Sequence, residues 1–267
     1  MVEPIFQIGL HKKDLSILQL IQKTLGGIGS ISSMSKEGVK FKVSSIKNLN
    51  EIIIPYFMKY PLLTSKQVDF ELLKKVVDLM NQKEHLTIEG IQKIVSIKAS
   101  MNLGLSEELL VAFPDVKPVL RPSTNENKIE DPNWLAGFIS GEGCFFIDIY
   151  KSKTNIKSAV RLKFLISQHK RDINLMKSLP DYLGCGQYVL APSGYNQGEY
   201  IVSKFSDIYE KIIPFIKKYP IIGNKVLDFE DFCKASVILK NKEHLTLEGL
   251  KNLKTLKSGM NWGRISE

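Results

Sequence analysis

Cysteine is scarce in this chain of 267 residues: Cys144, Cys185 and Cys233 form an odd, widely spaced set with no Cys-x-x-Cys pair. That argues against a thiolate zinc site and a disulfide framework, and fits a reduced compartment. No apolar run approaches the roughly 18 residues that a membrane span needs. The opening "MVEPIFQIGL" has neither the charged-then-apolar layout of a secretory signal nor the Arg- and Ser-rich look of a transit peptide. Acid is in deficit, 28 carboxylates against 37 lysines and arginines, so the formal charge is +9. This excess favours a polyanionic partner, nucleic acid or an acidic membrane surface, or else marks a basic but otherwise ordinary enzyme. Hydrophobic residues make up 43%. The chain can therefore bury a substantial core, as one large domain or two of ordinary size.

What the sequence does have is a copy of itself. "IFQIGLHKKD" (Ile5–Asp14) returns as "KFLISQHKRD" (Lys163–Asp172), and "IIPYFMKYPLLTSKQVDFE" (Ile53–Glu71) as "IIPFIKKYPIIGNKVLDFE" (Ile212–Glu230). "KEHLT" recurs at Lys83–Thr87 and Lys242–Thr246, each time followed by Glu-Gly, and "MNLG" (Met101–Gly104) returns as "MNWG" (Met260–Gly263). The order is preserved at an offset of about 158–159 positions, far longer than a solenoid period. Two copies of one domain are expected, residues 1–112 and 133–267. The stretch 113–132, with four prolines and many polar residues, reads as a linker between them.

Each copy mixes element types. "DLSILQLIQKTLG" and "DINLMKSLPDYLG" predict amphipathic helices with an Asp N-cap and a terminal glycine. "KFKVSS" (Lys40–Ser45) alternates like a half-buried strand, and "GQYVL" (Gly186–Leu190) does so more weakly. Phe70–Lys83 and Phe229–Lys242 predict longer helices, and "LTIEG" and "LTLEG" place a Thr N-cap before a final one. Hairpins followed by helices make each copy an α+β unit, an antiparallel sheet covered on one face by helices.

One stretch belongs to the second copy alone: "NWLAGFISGEGCFF" (Asn133–Phe146). Ala136, Gly137, Ser140 and Gly141 recur at spacings of three and four and so share one helical face. Such a face admits a second helix backbone to backbone, which offsets the cost of helical glycine, about 1 kcal/mol each. The helix ends near Gly141, Glu142 follows, and "CFFIDIY" alternates as a strand. Phe145, Ile147 and Ile149 point toward the helices, and Cys144, Phe146, Asp148 and Tyr150 away from them.

This stretch, with "SQHKRD", "YPIIGNK", "KEHLT" and the "MNLG"/"MNWG" ends, resembles the LAGLIDADG homing endonucleases of the single-chain, two-motif type. The resemblance covers nearly the whole chain. It implies two pseudo-two-fold related copies, each an antiparallel sheet saddle backed by helices. In that family two signature helices pack together and end in acids that share divalent metals for phosphodiester hydrolysis. The chemistry needs an activated water and stabilisation of a pentavalent oxyanion, which carboxylate-held Mg²⁺ supplies. Glu142 is then the metal carboxylate, with Gly141 beside it as a second metal-site residue, and Ca²⁺ can occupy the site without supporting cleavage. Lys225, and Lys66 in the first copy, match the family's active-site lysine. Gln168 matches a polar active-site position, at which the first copy has Leu10. His11 and His169 are read as structural, because hard, oxygen-preferring metals do the work in this family.

The resemblance also implies duplex-DNA contact by the outward strand faces, at a site of roughly 20 base pairs or more, since a two-stranded ribbon fits the major groove. In the second copy this face comprises Cys144, Phe146, Asp148, Tyr150, Arg161, Lys163, Ser167 and Gln187, with Lys151 and Lys153 in the loop "KSKTNIKS" suited to phosphates. In the first it comprises Gln7, Ser30, Ser32, Lys40, Lys42 and Ser44. The copies are unequal. About thirty residues, Asn133 to Leu162, precede "KFLISQH", whereas "MVEP" alone precedes "IFQIGLH". The first signature helix, its acid and its strand are thus absent from the sequence as it stands. This fits an incomplete form of the enzyme, a piece supplied by another chain, or decay toward binding alone. The leading expectation is a monomeric, Mg²⁺-dependent, intron-encoded mitochondrial endonuclease. Its alternatives are a non-catalytic nucleic-acid binder, such as an intron RNA maturase or a DNA- or ribosome-bound relic, and a helix-mediated assembly protein.

Overall fold

The computed structural model describes residues 2–122, 128–151, 158–190 and 196–264, with the main chain alone at Lys151, Ser158 and Trp262. The chain divides into two compact units, Met1–Asn127 and Lys128–Glu267.

The first unit opens on strand β1 (Phe6–His11), whose residues alternate half-buried and exposed. A 3-10 turn leads into α1 (Leu15–Thr24). The expected Asp cap is corrected here. Asp14 occupies the N-cap position but makes no capping hydrogen bond. Instead His11 Nδ1 accepts the Lys13 N–H at 3.2 Å, and His169 does the same for Arg171 at 3.2 Å in the second unit. A ring nitrogen thus satisfies a main-chain donor that a helix start leaves unpaired. Strands β2 (Ser30–Ser33) and β3 (Gly38–Val43) complete an antiparallel sheet in the order β1-β3-β2. Among the described residues β1 has one strand neighbour, β3.

A helical run follows: α2 (Ile46–Asn48), a π turn (Leu49–Ile53) and α3 (Ile54–Lys59). Pro55 has no N–H to give, so the ladder widens just before it. Then come α4 (Lys66–Asn81), α5 (Ile88–Ala99) and the short α6 (Glu107–Ala112). Leu18, Phe41, Leu49, Ile53 and Val77 anchor the core under the sheet, and Val68, Leu72, Val76, Ile94 and Ile97 form a second cluster between α4 and α5.

The repeated "KEHLT" joins α4 to α5. Lys83 takes a left-handed conformation, φ 60°, and Thr87 Oγ1 accepts the Gly90 N–H at 3.0 Å. A Cβ on Gly90 would lie 1.9 Å from the Glu84 carbonyl oxygen. Lys242, Thr246 and Gly249 repeat this turn, with φ 61°, a 3.0 Å bond and a 2.0 Å approach. The turn admits no side chain at the glycine, which accounts for its presence in both copies.

The second unit runs α7 (Pro132–Glu142), β4 (Gly143–Lys151), β5 (Ser158–His169) and α8 (Ile173–Leu183), then β6 (Gln187–Leu190) and β7 (Gln197–Val202). The helical end comprises α9 (Phe205–Asp207), a π turn (Ile208–Ile212), α10 (Ile213–Lys218), α11 (Lys225–Lys240) and α12 (Leu247–Ser258). Its sheet has four strands, β4-β5-β7-β6. By position in the repeat, β5, β7 and β6 correspond to β1, β3 and β2, so β4 is the strand without a counterpart. Phe145, Phe164, Tyr200 and Phe232 are completely buried between sheet and helices. The Phe145 ring lies 5.4 Å from Phe164 and 5.2 Å from Phe232. Each such phenyl ring contributes roughly 1.5–3 kcal/mol by leaving water.

The proline-rich stretch 113–132 divides. Val119 N–H donates to Ser96 O at 3.2 Å, and Arg121 Nη2 meets Asp69 Oδ1 at 3.1 Å, so its first part packs on the first unit. Asp131 and Pro132 already belong to the start of α7. Among the described residues no helix is long and apolar enough to cross a membrane.

Candidate active site

Helix α7 is built to end abruptly. Asp131 Oδ1 accepts the Asn133 N–H at 2.8 Å and Pro132 takes the first helical position, where its missing N–H costs nothing. At the other end Gly143 turns directly into β4. A Cβ there would sit 2.7 Å from both the Ile139 carbonyl oxygen and its Cγ2, so only glycine passes from helix to strand without a loop. Glu142 is therefore the last helical residue, exposed and at a fixed position above the strand.

The segment Tyr219–Lys225 docks on this helix end. Ser140 Oγ donates to Ala136 O at 2.8 Å and accepts the Ile222 N–H at 3.0 Å. Lys225, the first residue of α11, donates from Nζ to Gly141 O at 2.8 Å. Two hydrogen bonds across more than eighty residues thus bring an ammonium to the residue preceding Glu142. The small-residue face is split accordingly. Ala136 is buried and Ser140 engaged, whereas a Cβ at Gly137 or Gly141 would meet no heavy atom within 4 Å. Cys144 lies in the same neighbourhood. Burial pushes its thiol up; the charge of Lys225 opposes this, and those of Glu142, Asp228 and Glu199 add to it.

The "MNWG" end braces the site. Asp228 Oδ1 accepts the Asn261 N–H at 3.2 Å and Arg264 Nε at 3.0 Å, and Asn261 Nδ2 donates to Phe145 O at 3.0 Å on β4. Arg264 also meets Asp231 at 2.7 Å. Burial opposes the charge on Asp231, but hydrogen bonds from Lys234 and Arg264 hold its carboxyl below the usual range. The first unit repeats part of this. Asn102 N–H donates to Asp69 Oδ1 at 3.1 Å. With no strand among the described residues in the place of β4, Asn102 Oδ1 instead accepts Lys66 Nζ at 3.1 Å, and Asp69 lies 3.5 Å from that ammonium. Lys66 and Lys225 head equivalent helices in different surroundings. Sequence reasoning missed Ser140 as a bridge and the Asp–Asn–Arg brace. The brace had a signal in the twice-occurring "DFE" and "MN-x-G"; the bridge had none.

Gln168 lies near the end of β5. It falls on the strand parity of Phe164 and Ile166, and its Oε1 accepts the adjacent His169 N–H at 2.9 Å. The remaining strand residues align on the open faces. In the first sheet Gln7, Lys42 and Ser30 form one cross-strand row, and Gly9, Lys40 and Ser32 the next. Ser44 lies one residue past β3 and, with Lys42, holds the Glu3 carboxyl below its usual range. In the second, Cys144, Leu165, Ile201 and Gln187 share a row; Phe146 faces Lys163, Asp148 faces Arg161, and Ser167 faces Glu199. Tyr150 ends the exposed ladder, with the Arg161 guanidinium 5.6 Å from its ring centroid. Lys153 lies outside the described residues, as does the Lys151 side chain.

A family model described as LAGLIDADG endonuclease matches residues 1–77 and 135–236. The chain belongs to the LAGLIDADG endonuclease family. Its relatives include "Probable intron-encoded endonuclease 3" of Neurospora crassa, 43% identical over 94% of this chain and 47% of that protein. "Probable intron-encoded endonuclease 2" of the same fungus is 41% identical over 97% of this chain and 58% of that protein. The chain spans about half the length of the curated relatives it matches. Among solved structures, the LAGLIDADG homing endonuclease I-SmaMI bound to cleaved DNA superimposes with a TM-score of 0.96 at 47% identity, covering 99% of this chain and 88% of that one. The same enzyme has been solved on uncleaved DNA with calcium ions.

The LAGLIDADG site of this chain suits a hard divalent ion. The oxygens that this helix end offers are the Glu142 carboxylate and the Gly141 carbonyl, at the negative end of α7. Among the described residues no three His, Cys, Asp or Glu side chains cluster into a closed metal cage.

Proposed function

We propose that this protein is a site-specific endonuclease that hydrolyses both strands of duplex DNA with Mg²⁺, and that Ca²⁺ fills the same site without supporting cleavage. The observation that carries the reading is the junction of Glu142 and Lys225, fixed by the 2.8 Å bond from Lys225 Nζ to Gly141 O. Glu142 and Gly141 would hold the ion, which supplies an activated water and charge neutralisation at the phosphate. Lys225 would orient that water or steady charge developing on a phosphoryl oxygen, with Lys66 its counterpart in the first unit. I-SmaMI has been solved as two lysine-to-alanine variants and their double mutant, and the substituted positions stand apart by the same interval as Lys66 and Lys225. Gln168 would contribute by placing His169 and the turn behind it.

The outward strand residues would contact the duplex. Each sheet covering about one helical turn gives a target of roughly 20 base pairs. The intron-encoded relatives support a mitochondrial, intron-encoded origin. The protein would act as a monomer, unless another chain supplies a further signature helix.

The test is a plasmid library of candidate targets incubated with the protein in Mg²⁺ and separately in Ca²⁺. Double cuts in Mg²⁺ alone, abolished by Glu142→Gln with binding retained, support the proposal. Cutting that survives Glu142→Gln refutes the site. Tight binding with no cut, or nicking alone, moves the wild type to the non-catalytic reading, in which intron RNA is the natural alternative ligand.

A further inference from the structure

We propose that Arg161 reads a guanine base through the major groove, and that Tyr150 and Asp148 are positioning residues that hold its guanidinium for that contact. The inference rests on the reading of the strand face as a duplex-DNA surface.

The chain has four arginines, Arg121, Arg161, Arg171 and Arg264. Arg121 and Arg264 are spent on Asp69 and Asp228 at the helix ends, and Arg171 sits in a 3-10 turn. Arg161 alone lies on a strand, in β5 directly opposite Asp148 of β4. Its Nη2 is 3.5 Å from Asp148 Oδ2, and the same oxygen lies 2.5 Å from Lys163 Nζ. The Tyr150 ring backs the guanidinium at 5.6 Å. The arginine side chain is still 46% exposed, more than Asp148 at 30% or Lys163 at 29%. A flat fork is therefore restrained on two sides and open on the rest.

That surrounding selects among ligands. A cation meant for phosphate gains nothing from a carboxylate within 4 Å, because the anion repels the phosphate it should attract. A guanine edge is different: O6 and N7 are neutral acceptors, spaced to take two parallel N–H donors from one guanidinium. Holding the fork beforehand lowers the ordering cost of the contact. Asp148 remains ionised at neutral pH. Burial raises its pKa, but the hydrogen bond and charge of Lys163 and the charge of Arg161 outweigh this and hold it below the usual carboxylate range. Among the described residues the first unit carries no such device. The position of Arg161 in the repeat is taken there by Glu3, whose carboxylate accepts Lys42 Nζ at 2.8 Å. The two halves of the target should then differ, with the fork-read guanine facing the second unit alone.

The experiment is selection of randomised duplexes by the 267-residue chain in Ca²⁺, followed by affinities for the four bases at each enriched position. Wild type should prefer guanine by about tenfold or more at one position, the scale of a bidentate contact. Arg161→Ala and Arg161→Lys should both collapse that preference to within about threefold and leave the other positions unchanged. Arg161→Lys should keep the salt dependence, because its charge remains. Asp148→Asn should raise affinity for random duplex and steepen its salt dependence, as Lys163 and Arg161 turn to phosphates. Equal weakening of all sequences by Arg161→Ala, or a lost preference for another base, overturns this assignment and leaves the duplex reading standing. A wild type that enriches no sequence overturns the duplex reading and this inference with it.

Discussion

Asn261 and Asn102 occupy the same place in the repeat but hold different things, and this makes a quantitative test. Both are left-handed, at φ 54° and 49°. Alanine tolerates that conformation less well, which costs each variant about 1 kcal/mol. The side chains then diverge. Asn261 Nδ2 caps the carbonyl of Phe145, a residue with no solvent exposure, whereas Asn102 Oδ1 meets the exposed Lys66 ammonium. Removing the partner of a buried carbonyl costs a further ~1–3 kcal/mol. Asn261→Ala should therefore destabilise the second unit by about 2–4 kcal/mol. Asn261→Gly should recover about 1 kcal/mol of that, since glycine accepts the backbone. Asn102→Ala should cost about 1 kcal/mol in the first unit. Both tryptophans, Trp134 and Trp262, belong to the second unit, so tryptophan emission in guanidinium chloride follows it. Peptide-resolved hydrogen exchange reads β4 and α4 separately. The reasoning fails if Asn261→Ala costs no more than Asn102→Ala, or if Asn261→Gly recovers everything.

Gly137→Ala should stabilise isolated α7 by about 1 kcal/mol, because a Cβ there meets open space. The same change should lower cleavage if a second signature helix must pack on that face, so melting temperature and cutting rate move in opposite directions. Asp231, with its folded pKa depressed, adds stability that is present above the unfolded value near pH 4. That stability is lost as pH falls through the lower folded value. The stability gap between wild type and Asp231→Asn should thus be full at pH 7 and close on acidification; a gap that widens in acid contradicts the Arg264 and Lys234 pairing.

Much of the fold was legible because most of its elements are written twice. Strand parity placed Gln7, Lys40, Lys42, Arg161 and Lys163 on the open faces, and Thr87 and Thr246 marked helix starts through a local hydrogen bond. What escaped was non-local. Nothing near Ser140 announces that it binds Ile222, and nothing near Gly141 announces Lys225. Gln168 was placed by motif, and parity along β5 sets it in the same alternation as Phe164 and Ile166. Asp14 and Asp172 looked like caps, but His11 and His169 reach the turn first. Prolines in 113–132 suggested a free connector, while Arg121 found a carboxylate that only the folded α4 presents.

Among the described residues the edge of β1 away from β3 has no strand partner, which matters to anyone handling these 267 residues by themselves. Unpaired amides and carbonyls along a strand are adhesive, and here Ile5 stands 39% exposed beside them. Concentrated preparations should self-associate through that seam, two first units zipping rim to rim. A proline at Gln7 or Gly9, by withholding a donor, is the remedy to try before changing buffer or tag.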